Sequence, residues 1–124
     1  GEQPKLSIVA YGMGVHWAEK ILDKHNNVSA DLIDLRTLLP WDQEAVLSTV
    51  KKTGKVIILH EDCQTGGIGA ELASWISEHC FHQLDAPVMR VGSLDTPVPF
   101  ASALEADFLP VKRFEEKLIA LNEF

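Results

Sequence analysis

Four short, largely apolar runs, separated by amphipathic segments, constrain the fold of this chain more than any other feature. The runs begin at Leu6, Val28, Val56 and Val88, and apolar residues recur between them at helical spacing. Continuous apolar runs are typical of strands covered on both faces. Strands that alternate with helices form right-handed crossovers. The pattern predicts a three-layer α/β/α sandwich around a mostly parallel sheet, as one domain over residues 1–124.

Start and stop residues mark the predicted helices. Asp42 is a candidate N-cap, and Gly54 follows Lys51 and Lys52 as a stop signal. Pro110 is expected in the first turn of the last helix, since proline is favoured there. The third apolar run, residues 56–59, has no polar face and should lie centrally in the sheet.

Composition excludes several functional classes. The net charge of −7 disfavours nonspecific binding to nucleic acid or to an anionic membrane. No apolar run approaches the roughly 20 residues that span a bilayer, and no signal peptide is visible. The two cysteines, Cys63 and Cys80, are expected to be free thiols in a reducing compartment.

Two glycine patterns suggest nucleotide binding, but a structural turn is the preferred interpretation of each. Gly12-Met-Gly14 follows a strand, yet Trp17 stands where a dinucleotide fingerprint needs its third glycine. Gly66-Gly67 precedes a helix without the lysine of a phosphate-binding loop, and Glu71 would repel phosphate.

Histidines supply the other candidate sites. His79, Cys80 and His82 could contribute zinc ligands together with Cys63, but an exposed helix flank is the preferred interpretation for the two histidines. His60 and Glu61 follow the third apolar run, at the edge of a parallel sheet where ligands usually bind. An acid–base role, a buried pair and a subunit contact all remain open for them.

Longer motifs carry a resemblance to a known family. The run Leu32-Ile-Asp-Leu-Arg-Thr-Leu-Leu-Pro-Trp-Asp42 resembles a signature in the C-terminal domain of E1 beta subunits of 2-oxo acid dehydrogenase complexes. The similarity continues, in order and register, through His60-Glu61, Thr65-Gly-Gly67, Leu84-Asp-Ala-Pro-Val88 and Asp95-Thr-Pro-Val-Pro-Phe100. It covers nearly the whole chain, and the branched-chain (2-oxoisovalerate) type is favoured over the pyruvate type.

The resemblance implies a transketolase C-terminal fold with a five-stranded, mostly parallel sheet. The complete enzymes are oxidoreductases that use thiamine diphosphate and Mg²⁺ to decarboxylate a 2-oxo acid and pass the acyl group to a lipoyl arm on E2. The cofactor-binding domains and their metal motif are not in this sequence. We therefore expect a fragment of a larger E1 chain with no catalytic, cofactor-binding or metal-binding residues, inactive in isolation.

The implied role is assembly of the multienzyme complex. The expected partners are an E1 alpha subunit or region, a second E1 beta copy, and the peripheral subunit-binding domain of the E2 acyltransferase, a small basic module suited to an acidic domain. The candidate residues for binding E2 are Phe124, Glu123, Asp85 and Asp95. The candidate subunit-interface residues are His60, Glu61, Arg36 and Trp41.

Other assignments fit less well. A signalling receiver module needs an acidic pair after the first strand, where this chain has Tyr11-Gly12. Another enzyme of the transketolase superfamily would share the fold but not the Arg36-to-Trp41 and Asp95-to-Pro99 runs. The expected compartment is the bacterial cytoplasm or the mitochondrial matrix.

Overall fold

Strands and helices alternate along the chain. The computed structural model describes residues 4–11, 13–25, 27–35, 42–63, 68–93 and 103–123. The strands are β1 (Leu6–Ala10), β2 (Ala30–Asp34), β3 (Val56–Cys63) and β4 (Met89–Ser93). The helices are α1 (Met13–Lys24), α2 (Gln43–Thr53), α3 (Ile68–His79) and α4 (Ala103–Glu123), with a short 3₁₀ helix, η1 (Phe81–Gln83). None of the described helices is long and apolar enough to cross a membrane.

The four strands form one parallel sheet in the order β2-β1-β3-β4. The parallel arrangement and the central position predicted for the third apolar run are both confirmed. Among the described residues the sheet has four strands, whereas the resemblance implied five. Residues 94–102, between β4 and α4, lie outside the described residues.

Two apolar cores lie on opposite faces of the sheet. Along β1, Leu6, Ile8 and Ala10 belong to the core under α1 and α4, and Val9 belongs to the core under α2 and α3. Ile57 and Ile58 of β3 divide in the same way. Because successive side chains of a strand point to opposite faces, an unbroken apolar run serves both cores. The predicted three-layer sandwich is confirmed.

Both ends of α2 follow the prediction. Asp42 Oδ1 accepts a hydrogen bond from Ala45 N at 3.0 Å, as an N-cap does. Gly54 has a φ of 74°, in the left-handed region, and its N–H donates to Val50 O at 2.8 Å. These contacts satisfy polar backbone groups that a helix end otherwise leaves without partners.

Two element boundaries differ most from the sequence prediction. β3 continues through Cys63 instead of stopping at residue 59, with a register shift against β4 between Leu59 and Cys63. The apolar pattern ends at Leu59, but pairing with β4 carries the strand further. α4 begins at Ala103, not near Pro110, so Pro110 lies inside the helix although an interior proline costs a hydrogen bond and crowds the carbonyl four residues earlier.

Helix α4 runs antiparallel to β4. Lys117 Nζ donates to Arg90 O at 2.9 Å, and Arg113 donates to Gly92 O one helical turn earlier. Burial lowers the pKa of Lys117, and the nearby cations Arg113 and Arg90 lower it further. Because Lys117 contacts Arg90 near the start of β4, the later residues of α4 lie beside the start of that strand.

Gly14 allows α1 to lie against the centre of the sheet. A Cβ at this position would lie 2.7 Å from the carbonyl oxygen of Leu59, which belongs to β3 and cannot easily move. Trp17, one turn later, is buried in the core under α1 and α4. The glycine is needed for close helix–strand packing, so a packing role accounts for Gly14 without a nucleotide.

We predict that Gly14→Ala lowers the free energy of unfolding by about 1–3 kcal/mol, because the added methyl group overpacks the contact with β3. Helix propensity alone predicts the opposite sign, a gain of up to about 1 kcal/mol. Urea denaturation measures the difference. Lys20→Ala, at an exposed position of α1, should change stability by less than about 0.5 kcal/mol. A Gly14→Ala variant as stable as the parent would contradict the close-packing interpretation.

A chain of hydroxyl groups connects β1, β2 and α2. The buried Ser7 Oγ lies 2.7 Å from both Thr49 Oγ1 and Thr53 Oγ1. Thr49 Oγ1 donates to Asp31 Oδ2 at 2.6 Å, and Lys52 Nζ lies 3.2 Å from the same oxygen. The hydrogen bond from Thr49, with a smaller contribution from Lys52, lowers the pKa of Asp31. The chain of hydroxyl groups thus ends at the carboxylate of Asp31, whose charged form is favoured.

We predict that Thr49→Val lowers the free energy of unfolding by about 1–3 kcal/mol at pH 7, because Ser7 and Asp31 lose a buried hydroxyl partner. A lowered folded-state pKa stabilises the fold above the unfolded pKa, and this stability is lost as the pH falls through the folded value. The deficit of the variant should therefore shrink below roughly pH 4. Chemical denaturation across this pH range tests the expectation.

The neighbouring exposed residue provides the control for this prediction. Ser48→Ala lies on the same helix and should change stability by less than about 0.5 kcal/mol. A Thr49→Val deficit that stays constant from pH 7 to pH 3 would show that Asp31 takes no part.

Candidate docking surface

The parallel sheet separates the candidate residues between two edges. We call the edge where all four strands begin the amino edge, marked by Leu6, Ala30, Val56 and Met89. Asp85 precedes β4 and lies at this edge. Since α4 runs antiparallel to β4, its last residue, Glu123, lies at the same edge. Two of the predicted E2-binding residues are thus brought to one side of the domain.

The candidate subunit-interface residues map differently. His60 and Glu61 lie inside the second half of β3, towards the opposite, carboxyl edge, and their side chains are outside the described part of the chain. Arg36 and Trp41 lie outside the described residues, as do the docking candidates Asp95 and Phe124.

Backbone contacts fix the position of Asp85. Its N–H donates to the carbonyl oxygen of Gly54, two residues before β3, at 2.7 Å. Its carboxylate lies so close to Gly54 that a Cβ at residue 54 would overlap Asp85 Oδ2. Gly54 therefore has two functions, since it ends α2 in a left-handed conformation and leaves space for an exposed carboxylate.

An open groove of about 820 Å³ lies beside Asp85, between α3 and the segment leading into β4. We call it the α3 groove. Small side chains on α3 form one wall, and the residues around Asp85 form the other. Its lining includes Ala73, Ser77, Phe81, Leu84, Asp85 and Val88.

Aromatic and histidine side chains border this groove. Phe81 is 71% exposed, and its ring meets that of His82 edge-on with centroids 5.7 Å apart. On the outer face of α3, Trp75 and His79 stack with centroids 4.3 Å apart, and His79 Nδ1 lies 2.9 Å from Trp75 O. No sequence pattern singled out Phe81, because helical and strand periodicities say nothing about one apolar residue between two elements.

The candidate metal ligands differ in burial, and the side chain of Cys63 lies outside the described part of the chain. His79 and His82 are exposed, as the sequence predicted, whereas Cys80 is buried in the core under α2 and α3. Burial raises the pKa of the Cys80 thiol, and nearby Lys51 offsets this only in part, so the thiol is a poor nucleophile. Within the described ranges, no group of three or more His, Cys, Asp or Glu residues could hold a metal ion.

A family comparison identifies the domain. The model described as "Transketolase, C-terminal domain" matches residues 1–113 of the chain. The chain belongs to this family. A solved structure described as a split gene transketolase, an inactive beta4 tetramer, superimposes on this transketolase C-terminal domain with a TM-score of 0.73 at 26% identity. The match covers 98% of this chain and 40% of that one, which confirms the predicted fold class.

Sequence relatives agree with the E1 beta resemblance. The 2-oxoisovalerate dehydrogenase subunit beta of Pseudomonas aeruginosa is 47% identical over 96 residues, 77% of this chain and 27% of that protein. Subunit beta 2, mitochondrial, of Arabidopsis thaliana is 45% identical over 113 residues, 90% of this chain and 31% of that protein. The pyruvate dehydrogenase E1 component subunit beta of Bacillus subtilis is 38% identical over 111 residues, 88% of this chain and 34% of that protein.

These comparisons confirm the resemblance to E1 beta subunits that was stated from the motifs. The transketolase C-terminal domain described here spans about a third or less of the length of these relatives.

We predict that Gly54→Ala destabilises the domain by about 1 kcal/mol or more, since alanine is strained at this φ. Part of the loss should come from the contact with Asp85. In an Asp85→Ala background the penalty should therefore be smaller, by about 0.5 kcal/mol or more in a double-mutant cycle. Thermal denaturation of the parent, the two single variants and the double variant measures this coupling. Fully additive effects would exclude the contact.

Proposed function

We propose that this domain is the C-terminal assembly and docking domain of the E1 component of a 2-oxo acid dehydrogenase complex, of the 2-oxoisovalerate type. The parent enzyme is an oxidoreductase that decarboxylates a branched-chain 2-oxo acid and passes the acyl group to lipoyl-E2. Support comes from the identity to 2-oxoisovalerate dehydrogenase beta subunits, which exceeds the 26% identity to the transketolase structure.

The amino edge is the proposed docking site for the peripheral subunit-binding domain of E2. The observation that carries this assignment is the placement of Asp85 and Glu123 on one edge, with Asp85 anchored through its backbone to Gly54. A fixed, exposed carboxylate costs little side-chain entropy when it binds a cation. Phe124 and Asp95 are proposed as further contacts from their positions in the sequence.

Thiamine diphosphate and Mg²⁺ are assigned to other parts of the E1 chain. Mg²⁺ requires oxygen ligands in near-octahedral geometry. The described residues of this domain include no cluster of acidic and histidine side chains that fits a metal ion. No step of the reaction is therefore attributed to these residues, and the isolated domain is proposed to be inactive.

The carboxyl edge is the proposed contact with other E1 subunits. His60, Glu61, Arg36 and Trp41 are the candidates, and the expected neighbours are an E1 alpha subunit or region and a second E1 beta copy. This division would leave the amino edge accessible to E2. The proposed compartment is the bacterial cytoplasm or the mitochondrial matrix, and neither nucleic acid nor a membrane is proposed as a partner.

The docking proposal predicts that E1 assembled with Asp85→Asn binds the E2 peripheral subunit-binding domain about tenfold more weakly at low salt. The affinity should also depend less on ionic strength, because one charge–charge contact is lost. Removing Phe124 should weaken binding as well, with the melting temperature nearly unchanged. Surface plasmon resonance with the immobilised E2 domain, at several salt concentrations, measures these effects.

The control for this experiment removes the same charge elsewhere. Glu19→Gln lies in the middle of α1 and is exposed. It should leave the affinity for the E2 domain unchanged. Equal affinities for the parent, Asp85→Asn and Phe124-deleted proteins would reject docking at the amino edge.

A further inference from the structure

We propose that the α3 groove receives an apolar side chain from the basic module that docks at Asp85, so that docking combines an apolar contact with ion pairs. This inference rests on the proposed function and extends it, since it assigns the groove to the same partner. The shared residue is Asp85, which belongs both to the amino edge and to the groove wall.

The wall formed by α3 can accept a partner at close range. Ala73 and Ser77 lie one turn apart on the helix and have short side chains. On the opposite wall, Leu84 and Val88 are partly buried and pack against the core under α2 and α3. An apolar side chain placed between these walls would lose water contact on both sides, and apolar burial is favourable at about 25 cal/mol per Å².

Phe81 gives the groove an apolar rim. A single exposed hydrophobic residue is ordinary on a protein surface, and Ile119 on α4 is another, at 38% exposure. Phe81 differs because it is 71% exposed and lines a groove. Aromatic residues, phenylalanine among them, are enriched in protein interfaces relative to the rest of the surface.

The charges around the groove favour a cationic partner. Asp85 lies in its wall, and Glu71 and Glu78 lie on the adjoining face of α3, in a smaller depression that shares Ser74 with the groove. Lys51 lies close enough to Cys80 to lower the pKa of its thiol. Its positive charge therefore offsets part of the negative charge of these acidic side chains. With a net charge of −7 over the chain, the surrounding potential attracts a basic module.

The shape and charge together correspond to helix-in-groove recognition. In that mode an amphipathic helix places apolar side chains in a groove while its polar residues contact the rim. The E2 module would insert one apolar side chain between α3 and residues 84–88 and direct a lysine or arginine towards Asp85. The apolar contact would limit dissociation, and the acidic rim would speed association.

The test uses E1 assembled with variants that either fill the α3 groove or remove its aromatic rim. Ser77→Trp should block it, and Phe81→Ala should remove its rim, each weakening binding of the E2 peripheral subunit-binding domain by about tenfold. Neither variant changes a charge, so the salt dependence of the affinity should stay as in the parent. Calorimetric titration at two salt concentrations gives both quantities.

Matched controls place the same chemical changes elsewhere. Ser48→Trp adds a tryptophan on the exposed face of α2, and Ile119→Ala removes the exposed apolar side chain of α4. Both should bind like the parent. Melting temperatures within a few degrees of the parent should show that all four variants are folded.

The outcomes separate this inference from the proposed function. If the parent does not bind the E2 domain, the docking function fails and the groove assignment fails with it. If the parent binds and Asp85→Asn weakens binding while Ser77→Trp and Phe81→Ala do not, the groove assignment alone is overturned. Weaker binding by both groove variants, with unchanged salt dependence and unaffected controls, supports the inference.

Discussion

Burial of the two central strands on both faces is the constraint on which the rest of the structure depends. All five residues of β1 and residues 56–59 of β3 are buried, and their side chains alternate between two cores. Such strands must be covered by helices above and below. Once both faces are covered, the surfaces left for recognition are the two sheet edges and the outer faces of the helices.

The polar group buried within this apolar sheet is tied to its surroundings. Ser7 lies on a central strand, and its hydroxyl reaches Thr49 and Thr53 on α2. Thr49 in turn donates a hydrogen bond to Asp31, and Asp31 forms an ion pair with Lys52. A buried hydroxyl is costly unless it is hydrogen-bonded, so this chain also fixes the position of α2 relative to β1 and β2.

Most of the fold could be predicted because its signals are local. Asp42 and Gly54 cap α2 as expected, and apolar residues at helical spacing, such as Leu72 and Ile76 of α3, are buried. One error arose where a tertiary contact extends an element beyond its own pattern, and a second where a helix begins before an interior proline. Pairing with β4 lengthens β3, and α4 extends seven residues before Pro110.

The candidate site was only partly predictable. Asp85 and Glu123 were selected from a resemblance, but nothing in their spacing along the chain indicates that they share an edge. That placement follows from the parallel direction of β4 and the antiparallel return of α4, both fixed by contacts distant in sequence. The α3 groove was missed altogether, since a groove forms between two surfaces and neither of its walls carries a distinctive pattern.

The amino-acid sequence by itself determined the alternation of strands and helices, the three-layer architecture, the acidic charge and the family. These depend on periodicity, capping residues and contiguous motifs, which act over a few neighbouring residues. Only the tertiary structure decided which side chains meet at the amino edge, how Gly54 accommodates Asp85, and where the α3 groove opens. The physical reason is that packing and hydrogen bonding between distant segments set these positions, and short-range patterns do not encode the distances between elements.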